Sequence, residues 1–260
     1  KKAAFLRDYN LWIRDLENNE EYALTEEGER HYGYAALPER VSQTPGLSNP
    51  DWINSMAPEA LWSPDSKQLL TVRTDERQVL SLPVTQYVPT DGSVRPKSIA
   101  TKYALPGDEH IAEYEMLVID IDTRSVCNAQ YPRVPDAVLW AGLFSGNRAW
   151  WSGDSDHAYF VDMARGQQHA SVVEFDVQTG TTRVLFEERS NTHIDLNLNY
   201  EAPAFLRPLP ETQELVWFSE RSGWAHLYLY DLNTGELKHP ITNGDWLVRD
   251  ILHVDSERRE

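Results

Sequence analysis

Residues 219–237 read SERSGWAHLYLYDLNTGEL, an extended apolar run, HLYLYD (226–231), closed by a polar turn that contains Thr234 and Gly235. Three other stretches align with this run on an aspartate: NLWIRDLENN (10–19) on Asp15, EMLVIDIDTR (115–124) on Asp120, and SVVEFDVQTG (171–180) on Asp176. One face of the run holds Tyr228, Tyr230 and Leu232 in the last copy, and Val173, Phe175 and Val177 in the one before. The same positions hold Leu117, Ile119 and Ile121 in the second copy, and Trp12, Arg14 and Leu16 in the first. The opposite face carries Leu11 and Ile13, Met116 and Val118, and Leu227 and Leu229, with only Glu174 breaking it. Strands that are apolar on both faces must be covered on both sides. The aspartate caps the turn, because its carboxylate can accept turn amide hydrogens, and a Thr-Gly pair supplies a residue that tolerates positive φ.

A second piece recurs upstream. SPDSKQLLTVR from Ser63 parallels LPETQELVWFSER from Leu209 and, more loosely, SGDSDHAYFVDMAR from Ser152. A fourth strand follows the hairpin, since EEYALTEEGE resembles ELKHPITNGDW. Asp176 and Asp231 lie 55 residues apart, and Asp120 and Asp176 lie 56 apart. Four-stranded units at a period of ~50 residues, covered on both faces, define a β-propeller. The expected fold is therefore all-β, a partial propeller of four-stranded antiparallel blades amounting to about four blade equivalents. An all-β sandwich is the alternative, and it needs no repeat.

The sequence predicts one repeat domain over residues 1–260, with blade breaks near 30–56, 132–137, 190–200 and 245. The unit that opens at Ser63 is longer than the others, and the excess falls at 77–112, an insertion within the second blade. Prolines 83, 89, 96 and 106 make that insertion an extended excursion, not a helix. The chain enters at the second strand of one blade and leaves on DWLVRDILHVDSERRE, the pattern of an incomplete arc. Opening on Lys1 without a methionine, it reads as processed or as a fragment.

Composition narrows the function classes. The 41 acidic residues against 24 basic ones give a net charge of −17, which disfavours nucleic acid and anionic membranes as partners. No apolar run approaches the ~20 residues of a membrane span. A single cysteine, Cys127, excludes a disulfide framework and a cysteine-based zinc site within the chain. The eight histidines show no i, i+4 pair, and DEH (108–110) and THID (192–195) are too sparse for a metal site, so neither metal nor cofactor is expected. His226 reads as structural. The nine tryptophans read as wedges between blades. Compartment is not legible in composition, and a bacterial periplasm or cytoplasm is the expectation.

LWSPDSKQLLTVRTDER (61–77), YALPGDEH (103–110), FSERSGWAHLYLYD (218–231) and ITNGDWLVRDIL (241–252), in this order, resemble the N-terminal propeller of the dipeptidyl peptidase IV group of prolyl-oligopeptidase-type serine peptidases. The likeness runs from about Ala3 to Val254. In that group an eight-bladed propeller precedes an α/β-hydrolase domain bearing a Ser-Asp-His triad, and the pair releases dipeptides from peptide amino termini. The resemblance implies a non-catalytic propeller portion that gates and lines a peptide-substrate cavity. Its partners would be peptide substrates and a C-terminal hydrolase domain absent from this chain.

There is no Gly-x-Ser-x-Gly elbow, since GLFSG (142–146) has its serine one place late, so no catalytic residue is expected and the chain alone should be inactive. Group members with dipeptidyl activity carry adjacent glutamates just before the blade that opens with WSPD, and these bind the substrate ammonium group. The matching region here holds only Glu39 and Glu59, which are the candidate substrate-binding residues; a parent of aminopeptidase or oligopeptidase type is the consequence to weigh. The adjacent pairs Glu20-Glu21, Glu26-Glu27 and Glu187-Glu188 fall in or beside turns and read as solvated faces. A stand-alone propeller that binds a protein or peptide is the alternative function, and exposed blade faces would favour a homo-oligomer.

Overall fold

A computed structural model describes residues 1–40, 52–89, 91–136, 142–144, 146–196, 206–255 and 258. Nearly all regular structure in it is antiparallel β. The chain divides into two compact units, one built from residues 1–62, 67–128 and 132–136, the other from residues 63–66, 129–131 and 137–260. No helix among the described residues is long and apolar enough to cross a membrane. The predicted breaks near 30–56, 132–137 and 190–200 fall partly outside the described residues, as do Trp140 and Ser145 of GLFSG.

The first unit holds two main sheets. β1 (Lys2–Arg7), β2 (Asn10–Asp15) and β3 (Glu21–Ala23) form a three-stranded meander. The second sheet is built on β6 (Gln68–Asp75) and β9 (Glu113–Asp120), which pair along their whole lengths. One edge of β6 is shared by β4 (Tyr32–Tyr34) and β5 (Ala60–Trp62), and β9 is flanked by β10 (Val126–Asn128) and β11 (Val134–Pro135). This edge of the sheet is thus interrupted. β4 pairs with Asp75–Arg73, β5 with Thr71–Leu69, and the loop between them leaves and returns where Glu59 N–H donates to the Ala35 carbonyl at 2.8 Å. Leu11, Ile13, Leu24, Leu69, Leu117 and Ile119 form the core of this unit.

The excursion between β6 and β9 is a two-stranded ribbon, β7 (Ser81–Gln86) paired with β8 (Lys97–Lys102). Pro83 sits inside β7, a position open to proline because both strands of an isolated ribbon are edges.

The second unit contains two four-stranded sheets. One runs β12 (Ala149–Trp151), β13 (His157–Met163), β14 (His169–Asp176), β15 (Thr182–Arg189). The other runs β16 (Leu206–Leu209), β17 (Glu214–Ser219), β18 (His226–Asp231), β19 (Leu237–Pro240). Each is strand-to-strand in chain order, the blade pattern. Trp150, Tyr159, Val161, Val172, Leu215, Trp217, Tyr228 and Tyr230 pack between them. Phe160, Val173 and Phe175, on alternate positions of β13 and β14, are also fully buried, so the apolar character of both faces is matched by burial of both.

The repeat is visible atom by atom. Each aligned aspartate ends a strand and accepts turn amides on Oδ1. Asp15 accepts from Glu17 at 2.8 Å, Asp120 from Thr123 at 2.7 Å, Asp176 from Thr179 at 2.9 Å and Asp231 from Asn233 at 2.8 Å. Four residues beyond each aspartate the backbone is left-handed, at Asn19 (φ 60°), Arg124 (φ 61°), Gly180 (φ 79°) and Gly235 (φ 78°). At Gly235 space is decisive too, since a Cβ would stand 2.1 Å from the Leu185 carbonyl oxygen.

The first copy departs from its relatives. Leu11 and Ile13 are fully buried, but Trp12, Arg14 and Leu16 are not, and Leu16 is 52% exposed. Arg14 is the cause. A guanidinium on that face needs a polar partner, and it pairs with Glu21 while Arg7 stacks over Trp12 at 4.4 Å. Two acidic pairs also correct the reading of solvated turn faces. Glu21 lies on β3 and accepts from Arg7 at 2.7 Å, and Glu188 lies on β15 with its side chain 9% exposed. The Glu188 carboxylate accepts from Trp217 Nε1 at 2.7 Å, the Ser219 hydroxyl at 2.5 Å and Arg221 Nη2 at 2.6 Å. His226 is structural, with Nδ1 3.0 Å from the Thr242 hydroxyl and Nε2 2.9 Å from the Gly244 carbonyl.

Candidate functional site

The interrupted edge strand of the first unit frames a small cavity lined by Tyr9, Arg30, His31, Glu39, Thr74 and Glu76 among others. The side chains arrive from several separate segments. Tyr9 sits in the β1–β2 turn, Arg30 and His31 lead into β4, Glu39 follows it, and Glu76 begins the turn after β6. Tyr9 (φ 63°) and His31 (φ 70°) hold left-handed backbone, which non-glycine residues keep only where their surroundings dictate it. Gly33 is needed for closeness, since a Cβ there would meet Tyr9 Cβ at 3.1 Å.

Glu39 is buried and fixed from several directions. Oε2 accepts the Lys102 N–H at 2.6 Å and the Thr101 hydroxyl at 3.3 Å, both from the end of β8. Oε1 accepts Arg30 Nη2 at 2.6 Å. Its own N–H donates to Glu76 Oε2 at 2.8 Å. The next residue anchors the loop again, because Arg40 Nε donates to buried Asp136 at 2.6 Å and Asp136 accepts from the Tyr114 hydroxyl at 2.9 Å. Glu76 is buried, its N–H donates to the His31 carbonyl, and its Oε1 lies 3.3 Å from His31 Nδ1.

These surroundings push the two carboxyls in opposite directions. Burial acts to raise Glu39, but the Lys102 amide and the Arg30 guanidinium outweigh it and hold Glu39 below the usual carboxylate range. Burial dominates at Glu76 and raises it, against the His31 ring and the Glu39 amide. Burial likewise raises the Tyr9 phenol. The cavity therefore offers a fixed anion, Glu39, beside a second carboxyl that ionises less readily.

Ligating atoms of His31, Glu39 and Glu76 lie within 4.8 Å of one another, the one such group among the described residues. Arg30 and two backbone amides already occupy these carboxylates, so the protein supplies its own cation there. Glu59, the other candidate, is buried, and its carbonyl accepts the Thr71 hydroxyl at 2.7 Å; it does not line this cavity. Glu76 and His31 were missed in the sequence because they lie 45 residues apart and each is unremarked in its own stretch. TDER (74–77) marks where the excursion departs, which is the one sequence cue to Glu76.

A larger cavity of about 310 Å³ lies on the last sheet, lined by Leu209, Val216, Leu227, Leu229, Ile241 and Ile251 with His239, His253 and Asp255 at its margin. Its wall is a sheet face opposite Leu215, Trp217, Tyr228 and Tyr230, and its lining among the described residues is mostly apolar.

The repeated sheets with their capped turns are propeller blades, and comparison with known proteins assigns the kind. A sequence model described as the dipeptidyl peptidase IV (DPP IV) N-terminal region matches residues 1–260. The chain belongs to this family. It is 29% identical over 226 residues to an Aspergillus fumigatus protein named "Probable dipeptidyl peptidase 4", an alignment covering 83% of this chain and 28% of that protein. It is 25% identical over 219 residues to the dipeptidyl peptidase 4 of Trichophyton equinum, covering 81% of this chain and 27% of the relative. The crystal structure of Porphyromonas gingivalis dipeptidyl peptidase 4 shares the fold, with a TM-score of 0.74 at 20% identity over 98% of this chain and 33% of that one. The chain thus spans under a third of the length of the relatives it matches.

Proposed function

We propose that this chain is the non-catalytic propeller portion of a dipeptidyl-peptidase-IV-like serine peptidase, and that it lines the cavity in which the amino terminus of a peptide substrate is held. Glu39 is the receiving carboxylate. The observation that carries this reading is the state of that group: a buried carboxylate held ionised by the Lys102 amide and a cationic partner, Arg30, with the Thr101 hydroxyl donating to the same oxygen as the amide. A peptide ammonium offers three donors and a full positive charge, the complement of such a group. Glu76 and Tyr9 line the same space and add acceptor atoms. Bond cleavage belongs to a hydrolase domain outside this chain, and the release of dipeptides is the activity proposed for the whole protein. Family membership and the partial coverage of every relative named above support that division.

The test is discrimination between a free amine and a blocked one. In an NMR titration of the isotopically labelled chain, Ala-Pro-Ala should shift the Lys102 amide resonance while N-acetyl-Ala-Pro-Ala leaves it in place. Glu39→Gln should erase the difference. Equal shifts from both peptides, or a preference that survives Glu39→Gln, would refute the reading.

A further inference from the structure

Glu39 and Arg30 form one ion pair, but they are held very differently. Glu39 has a side chain only 10% exposed, and its carboxylate accepts from Lys102 and Thr101 on Oε2 as well as from Arg30 on Oε1. Arg30 is 60% exposed, and among the described residues its side chain has a single hydrogen-bonding partner, Glu39. The anion is fixed and the cation is on a long side chain that reaches in from solvent. The free volume beside them is about 10 Å³, room for about one water molecule and not for the end of a peptide.

A buried carboxylate that loses its cation carries an energetic cost, which a replacement cation removes. Arg30 cannot leave by losing its proton, because a guanidinium stays charged throughout the physiological range. We infer that the Arg30 guanidinium stands in the place of the substrate's amino terminus, and that an incoming ammonium group binds Glu39 by displacing it. This rests on the reading of the cavity as an amine site. Arg30 is then a specificity device. A peptide whose amino group is acylated brings no charge and cannot complete the exchange, so it meets a closed cavity. A protonated amine meets a competitor, and its apparent affinity is the intrinsic one multiplied by the fraction of molecules in which Arg30 has swung out.

The labelled full chain as wild type, Arg30→Ala, Arg30→Met and Glu39→Gln, titrated with Ala-Pro-Ala and its N-acetyl form, separates the outcomes. In the wild type, the free-amine peptide should move the Arg30 Nε–H resonance toward that of a solvent-exposed guanidinium. Both Arg30 variants should bind that peptide at least about threefold more tightly, with the acetylated peptide unaffected. Unchanged or weaker binding in both Arg30 variants, with Glu39→Gln still abolishing the amine preference, overturns the exchange and leaves the amine site standing. An amine preference absent from the wild type and both Arg30 variants overturns both readings. Loss of the native amide spectrum in Ala and Met variants alike also overturns the exchange, because a displaceable cation must be dispensable to the fold.

Discussion

The backbone N–H of Glu39 donates to Oε2 of Glu76 at 2.8 Å, so the loop that carries one carboxylate is positioned by the other. The pair titrates in opposite senses. The Glu39 carboxyl lies below its unfolded value, so the stability it contributes is present above about pH 4.3 and lost as pH falls through the folded value. The Glu76 carboxyl lies above its unfolded value, so its ionisation works against folding as pH rises above about 4.3. Thermal melts at pH 4 and pH 8 should therefore show Glu76→Gln gaining on the wild type as pH rises, while Glu39→Gln loses about 1 kcal/mol at pH 8. A Glu76→Gln difference that stays flat or worsens from pH 4 to pH 8, or a Glu39→Gln loss that is no larger at pH 8 than at pH 4, would contradict the assignment.

Glu188 joins β15 to the following sheet through three donors. Glu188→Ala leaves the Trp217 indole N–H and the Ser219 hydroxyl without their acceptor and removes the ionic partner of Arg221. Urea unfolding should show a loss of about 2–4 kcal/mol. Glu187→Ala, one residue away and exposed, should change stability by less than about 0.5 kcal/mol.

Glycines of similar φ should differ in their tolerance of a methyl group. Gly235→Ala meets both a left-handed backbone and the Leu185 carbonyl at 2.1 Å. A loss of about 3 kcal/mol is expected. Gly166 (φ 88°) has nothing within 4 Å of the added methyl, so Gly166→Ala carries only the backbone term of about 1 kcal/mol. Differential scanning calorimetry should rank them in that order.

The turn aspartates should be interchangeable in kind and similar in size of effect. Asp176→Ala and Asp231→Ala each remove an acceptor of two turn amides, and each should lower the unfolding free energy by about 1 kcal/mol. Both are half-buried and they share no hydrogen-bond partner in their turns, so the two losses should add within about 0.5 kcal/mol.

The blade repeat was legible because its period is local. Four aspartates, an apolar run before each and a left-handed position four residues after each are all contained within ten-residue windows. The excursion was legible as extended from its prolines, but its pairing as β7 with β8 was not, since nothing in a single strand names its partner. The split of this sheet edge into β4 and β5 was hidden because two three-residue strands carry too little periodicity to be read. Of the cavity, Glu39 was found through its place relative to WSPD, whereas Arg30, His31 and Glu76 become a cluster only when β4 and the end of β6 are side by side. Glu188 was misread because adjacency of two glutamates looks like a polar turn, while strand alternation sends one outward and the other into a network.

The most direct measurement is a crystal structure of the chain soaked with Ala-Pro-Ala. The peptide's ammonium nitrogen should lie about 3 Å from Glu39 Oε1, with the Arg30 side chain turned out into solvent. A peptide ordered with its amino terminus away from Glu39, or a cavity that stays closed by Arg30 at saturating peptide, would contradict the assignment of Glu39 as the amine-binding carboxylate.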